Sequence, residues 1–219
     1  MAQPVEQRTP LTRERVLGSA VAIADEGGIG ALTIRALAAD LGVKPMAIYH
    51  HVANKEEILD GIVDIVFAEI ELPIAGAEWR GEMRRRASSA RIVLSRHTWA
   101  IGLMETRTSP GPATLRHHDA VIATLRQGGF TIEMTAHAYA LLDAFIYGFA
   151  LQEATLPMDG PEDVAEIAAP MIERMSSDDY PYLTEFATEH VMKPGYDFGK
   201  EFDFGLELII AGLSRTLDL

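Results

Sequence analysis

The 219-residue chain has no cysteine. Disulfide cross-links, thiolate metal sites and a cysteine nucleophile are therefore excluded, and nothing calls for an oxidising compartment. The first residues, MAQPVEQRTPLTRERV, lack an apolar signal core and read as a short polar arm, so the expected location is cytoplasmic. The longest apolar run, Ala138 to Leu151, falls short of membrane-spanning length and carries Asp143 in its middle, which reads as a buried helix of a soluble protein. Catalytic signatures are missing as well. The seven histidines show no HExxH spacing, there is no Walker loop, and the Gly27-Gly28-Ile29-Gly30 cluster follows a helix and serves as a connector. No enzyme is expected. His117 and His118 are neighbours that diverge on a helix, so a shared metal is not expected, and no cofactor is called for.

Basic residues are in deficit, 19 Lys and Arg against 32 Asp and Glu, for a net charge of −13. An acidic chain is a poor non-specific binder of nucleic acid. The acidity is uneven: residues 1–60 hold six Lys/Arg and eight Asp/Glu, whereas residues 61–219 hold thirteen and twenty-four. A head that is locally basic on one face remains compatible with sequence-specific contact.

What is present is helical. Hydrophobic residues make up 48% of the chain, enough for a sizeable core, and they recur with helical period and almost no alternation, so the fold class is all-α. Thr12 caps a first helix carrying Val16, Leu17, Ala20, Ile23 and Ala24 on one face, ended by Gly27 and Gly28. Thr33 caps a short second helix that Gly42 stops, and Lys44-Pro45 opens a third running to about His51. Asn54, with Glu57 three residues on, starts a fourth helix with the stripe Ile58, Ile62, Val66 and Ile70, ending before Pro73. Further helices are expected over 79–95, 96–106, 112–127, 131–156, 161–177, 181–192 and 200–217. The expected domains are a helix-turn-helix head, 1–55, and a helical ligand-binding and dimerisation body, 56–219. The run Arg84-Arg85-Arg86 reads as a solvated helix face rather than a basic patch, and the acidic pairs Glu162-Asp163 and Asp178-Asp179 as helix-start charges or solvated loop.

Residues 33 to 49, TIRALAADLGVKPMAIY, have helix-turn-helix spacing. Ala38 is small where two helices cross, Gly42 supplies the positive φ of the turn, and Leu37, Leu41, Val43 and Ile48 fill the wedge. The third helix then offers Lys44, Pro45, Met46, Ala47, Tyr49 and His50 to the major groove of double-stranded DNA. Pro45 and Met46 lack hydrogen-bonding groups and suit thymine methyls, leaving Lys44 and His50 as polar readers. The competing reading has Tyr49, His50 and His51 covering a small core, with Arg35 and Lys55 as solvated charges.

The segment GALTIRALAADLGVKPMAIYHHVANKEEILDGI resembles the N-terminal signature of the TetR family, and GFTIEMTAHAYALLDAFIYGFALQE and FDFGLELIIAGL resemble the eighth and tenth helices of its tetracycline-repressor subgroup. The resemblance implies that Thr33 and Arg35 lie near DNA, that Tyr49 and His51 touch its backbone and that Lys55 anchors a phosphate. It also implies a homodimer through the last helix, where Gly205, Leu208 and Gly212 occupy much of another side from the stripe of Leu206, Ile209, Ile210, Leu213 and Leu217. An effector pocket is implied too. Leu103 stands where a magnesium-ligating His would be, Gln152 in place of an acidic metal-linked residue, Ile70 or Glu71 near an expected drug-contacting His, and Arg86 in place of an amide. The implied pocket, lined also by Arg107, Val121, Tyr139 and Asp143, is thus expected to bind without metal. Asp143 is either a ligand anchor or half of a structural ion pair. The function implied is a repressor that binds operator DNA and is released by a small apolar effector. The alternatives are a regulator controlled by a protein partner, or a helical carrier or enzyme that does not bind DNA.

Overall fold

The computed structural model describes residues 10–156, 169–170, 174 and 179–217, and these contain helices and no strand. Two compact units emerge, Met1–Thr135 and Ala136–Leu219. Residues 1–9 of the polar arm, the acidic pair Glu162-Asp163 and most of the helix expected over 161–177 lie outside the described residues.

In the first unit, α1 (Arg13–Gly27) begins at Thr12, whose hydroxyl accepts the Arg15 N–H, and buries Val16, Leu17, Ala20 and Ala24; Gly28, at φ +71°, ends it. The next helix, α2 (Ile34–Asp40), is capped in the same way by Thr33, which accepts from Ala36 N at 3.1 Å. Its neighbour α3 (Pro45–Ile48) places proline in the first turn, where a missing N–H costs nothing. The last helix of this group, α4 (Lys55–Glu69), has a capping box in which Asn54 accepts Glu57 N and the Glu57 carboxylate accepts Ala53 N. Gly61 lets α1 and α4 approach, since a Cβ there would lie 2.7 Å from Leu17.

The remaining layer comprises α5 (Trp79–Arg96), a 3₁₀ turn (Thr98–Ala100), α6 (Ile101–Met104) and α7 (Pro112–Gln127). The single helix expected over 96–106 is broken at His97, whose backbone (φ −118°, ψ 55°) has left helical geometry. On α4, Asp64 reaches across to cap α7, accepting from Thr114 N at 2.8 Å and Thr114 Oγ1 at 2.9 Å. This carboxylate satisfies donors that the α7 N-terminus would otherwise leave open.

The second unit holds the rest of α8 (Ile132–Thr155), which crosses the boundary, followed by α9 (Pro181–Phe186), a π-helical turn (Ala187–Val191) and α10 (Gly199–Thr216). Phenylalanines join α8 to α10: Phe145 stacks on Phe202 with centroids 5.3 Å apart, and Phe149 on Phe198 at 4.8 Å. By length and composition alone α8 could cross a membrane, being longer than its apolar run suggested. Its buried Ala138, Leu142, Ile146, Phe149 and Ala150 instead recur at the spacing of a core helix.

Candidate nucleic-acid interface and effector site

The wedge of the head is built as its spacing predicts at three positions and loosely at two. Leu37, Ala38 and Ile48 are fully buried, whereas Leu41 and Val43 are half-buried and close its rim. Gly42 turns the chain at φ +65°, and Val43 N donates back to Ala38 O at 2.9 Å. α3 is regular for only four residues, shorter than expected, and continues as turns that bond His50 N to Ala47 O and His51 N to Ile48 O.

Around this core the head presents a continuous set of outward groups. Thr33, Arg35, Lys44, Pro45, Met46, Tyr49, His50 and Lys55 are exposed, and Ala47 and His51 are half-buried. Met46 is 71% exposed, an unbranched apolar side chain held out in water by the element's most regular turn. Lys55 is the first residue of α4.

Two polar groups are buried between α5 and α7. On α5, Arg86 is 1% exposed, and His117 of α7 is fully buried against the Phe67 ring, whose centroid lies 5.2 Å away. Arg86 Nε donates to His117 Nε2 at 3.2 Å. Burial, reinforced by the neighbouring guanidinium, lowers His117 to about 3, so it stays neutral at physiological pH. With Nε2 accepting, the ring proton belongs on Nδ1, a buried donor with no protein hydrogen bond among the described residues. Arg86 therefore does not fit the solvated face expected for the arginine run. Arg85 also departs from it, binding Glu71 and Glu82 at 2.5 Å each and Leu72 O at 2.7 Å, which pins the α4–α5 connector.

His117 was not singled out in the sequence as a buried polar group, although Ala113, Thr114, His117, Val121 and Thr124 recur with the period of a buried stripe. Arg107 is half-buried and held by two carboxylates of α4. Its Nε donates to Asp60 and its Nη2 to Glu56, both at 2.6 Å, and the hydrogen bond it donates to Glu56 is the foremost influence raising its already high pKa. With Val63, Met104, Thr114 and His118 it lines a recess of about 150 Å³, too small for a drug-sized molecule.

Of the remaining expected lining, Val121 and Asp143 are buried, Leu103 and Tyr139 half-buried, and Gln152 exposed. Ile70 is buried, and Glu71 N donates to Ser89 Oγ. Among the described residues no three His, Asp or Glu side chains stand together as metal ligands. On α10, Leu208 is 60% exposed and Gly212 faces open space. Gly205 serves a contact inside the protomer, since a Cβ there would come within 2.7 Å of the Phe145 ring.

Comparison with known proteins finds two family models along the chain. Residues 16–62 match bacterial regulatory proteins of the tetR family, and residues 72–217 match the tetracyclin repressor-like C-terminal domain. An HTH-type transcriptional regulator from Saccharopolyspora erythraea is 30% identical over 211 residues, 95% of this chain and 87% of that protein. The HTH-type transcriptional repressor DrrR1 from Streptomyces coeruleorubidus is 30% identical over 212 residues, 93% of this chain and 77% of that protein. Among solved structures, Streptomyces coelicolor ActR in complex with actinorhodin superposes with a TM-score of 0.76 at 28% identity, covering 95% of this chain and 99% of that one.

Proposed function

The chain belongs to the TetR family of bacterial regulatory proteins, and on that basis we propose that it is a homodimeric repressor, released from operator DNA by a small effector that binds without metal. The observation that carries the DNA reading is the exposed row Arg35, Lys44, Met46, Tyr49, His50 and Lys55 on a wedge whose core is closed. Lys55 and Arg35 supply phosphate contacts, while Met46 and Pro45 meet thymine methyls and Lys44 and His50 reach base edges. The head comprises residues 1–55 and the body 56–219. Two protomers join through the exposed Leu208 and Gly212 side of α10, which sets the two heads at palindromic half-sites.

Effector recognition is assigned to the interior around Arg86 and His117, with Val121 beside them in the stripe of α7. A cationic guanidinium and a buried N–H favour an acceptor-bearing ligand, a carbonyl, phenolate or carboxylate on an otherwise apolar body. Leu103 offers no lone pair to a metal, and Gln152 offers only a neutral amide. Arg107, fixed to Glu56 and Asp60, acts as a strut that transmits movement of the α6–α7 segment to α4. DrrR1 is named a repressor and ActR was solved with actinorhodin, which supports a repressor with a small-molecule ligand.

The test has two parts. The full chain should shift the DNA upstream of its own gene, and a compound panel should identify a molecule that reverses the shift with and without chelator. Tetracycline with Mg²⁺ should give no calorimetric binding at micromolar concentration. Binding of that drug that vanishes with chelator would sink the metal-free assignment.

A further inference from the structure

At the junction of α1, α4 and α5, one histidine sits between two carboxylates. His97 is 6% exposed. Its Nδ1 lies 2.7 Å from Asp25 Oδ1, near the end of α1, and its Nε2 lies 3.3 Å from Glu69 Oε2, the last residue of α4. The neighbouring donors at this junction also have defined places. Trp99 Nε1 donates to the same Asp25 oxygen at 2.7 Å, and Arg96 meets the same Glu69 oxygen at 2.9 Å. The Trp99 ring stands edge-on to the imidazole, with centroids 6.1 Å apart.

A neutral imidazole has one N–H and one lone pair. In either neutral tautomer, one nitrogen here would turn its lone pair toward a carboxylate oxygen. Only the imidazolium donates at both contacts. We propose that His97 is a proton-dependent positioning residue: as imidazolium it latches the C-terminal ends of α1 and α4 together, fixing the head on the helix that carries it, and it lets go when the proton is lost. His97 touches no DNA and acts through α1. The inference rests on the DNA-binding reading above for its effect on operator affinity, whereas the latch itself can be observed without DNA.

The sign follows from the donors. As pH rises and the proton leaves, one of the two bonds becomes a lone-pair repulsion, α1 gains freedom relative to α4, and fewer molecules hold the head in the geometry the operator selects. Glu69→Gln is the informative variant, because its amide donates to a neutral Nε2 while Nδ1–H still donates to Asp25. It keeps the latch and removes the proton requirement, at the loss of the Arg96 ion pair.

Nitrogen-15 NMR of the histidine rings in the full chain reads the charge state directly. The expected result at neutral pH is His97 protonated at both nitrogens in the native protein and neutral in Glu69→Gln, with the Trp99 indole N–H signal still that of a bonded donor in both. Operator affinity between about pH 6 and about pH 9 should then fall about tenfold further in the native chain than in Glu69→Gln. His50 and His51 are present in both proteins, so their contribution to binding cancels in this comparison. A neutral His97 at neutral pH, or parallel affinity profiles, would overturn the proposal. If neither protein binds the upstream DNA at any pH, the DNA reading fails. The ring charge state, with the α1 amide signals followed through the same titration, still decides the latch.

Discussion

The head and the layer behind it handle polar side chains in opposite ways. In the head, the groups assigned to function point outward from a small wedge, whose buried side chains Leu37, Ala38, Ile48 and Val52 are apolar. In the layer of α5 to α7, the polar groups of interest are inside, with Arg86, His97 and His117 all under 10% exposed. An operator is a large, hydrated polyanion met at a surface, so a head can leave its contacts in water until binding. A small effector has few atoms and needs strong, desolvated interactions, which only interior donors provide. Each function is therefore damaged in its own way: the head by losing charge at its surface, the body by losing or adding polarity within.

Five substitutions probe that contrast, those that act on binding in descending order of consequence and the one that acts on stability last. Gly212→Glu puts a charge on the exposed side of α10, where there is open space within the protomer. The monomer should fold, the dimer should dissociate, and operator affinity should drop by about 100-fold or more as the two half-sites lose their linkage. Light scattering that still finds a dimer at micromolar concentration removes α10 from the interface. Next, Arg86→Met should weaken effector release by about 30-fold, the worth of one charge-assisted hydrogen bond, and leave operator affinity in the absence of effector within about threefold. Equal losses in both would make Arg86 structural rather than a ligand contact.

Lys55→Ala should lower affinity for every DNA sequence by a similar factor and reduce the salt slope of log K by about one unit, whereas Lys44→Ala should change base preference. An unchanged slope in a folded dimer would dissociate Lys55 from phosphate. The last effect is on stability rather than on binding. His117 takes up a proton at about 3 when folded and at the ordinary histidine value of 6.5 when unfolded, so between those values the unfolded state holds more protons. Stability should therefore fall as pH drops through that window, by at most about 1.4 kcal/mol per pH unit from this group. His117→Asn should remove that contribution from an acid-unfolding series followed by circular dichroism.

Much of the head was legible because its signals are local. Thr12, Thr33 and Asn54 each accept the backbone N–H that a capping residue should, and Gly42 takes the positive φ that its turn requires. The all-helical class and the terminal stripe of α10 also follow from periodicity, with Leu206, Ile210 and Leu213 buried. The body was less readable since its polar contacts join residues far apart in sequence. Nothing local announces that Arg86 meets His117, that Arg107 spans to Glu56 and Asp60, or that Asp25, Glu69 and His97 converge. The arginine run illustrates the difficulty: three adjacent side chains fan out around a helix, so one of them, Arg86, turned inward. Gly205 is a related case, for small residues announce close approach without naming the partner, here Phe145 of the same chain.

Whether this protein is an operator-specific repressor is decided by quantitative binding of the full chain to the DNA upstream of its own gene. Fluorescence anisotropy at several salt concentrations, against a scrambled duplex of the same length, provides the measurement. The predicted result is saturable binding of two protomers per site, at least about 1,000-fold tighter than to the scrambled duplex and weakening linearly on a log scale with salt. Equal affinity for both duplexes, or no binding to either at low salt, would contradict it.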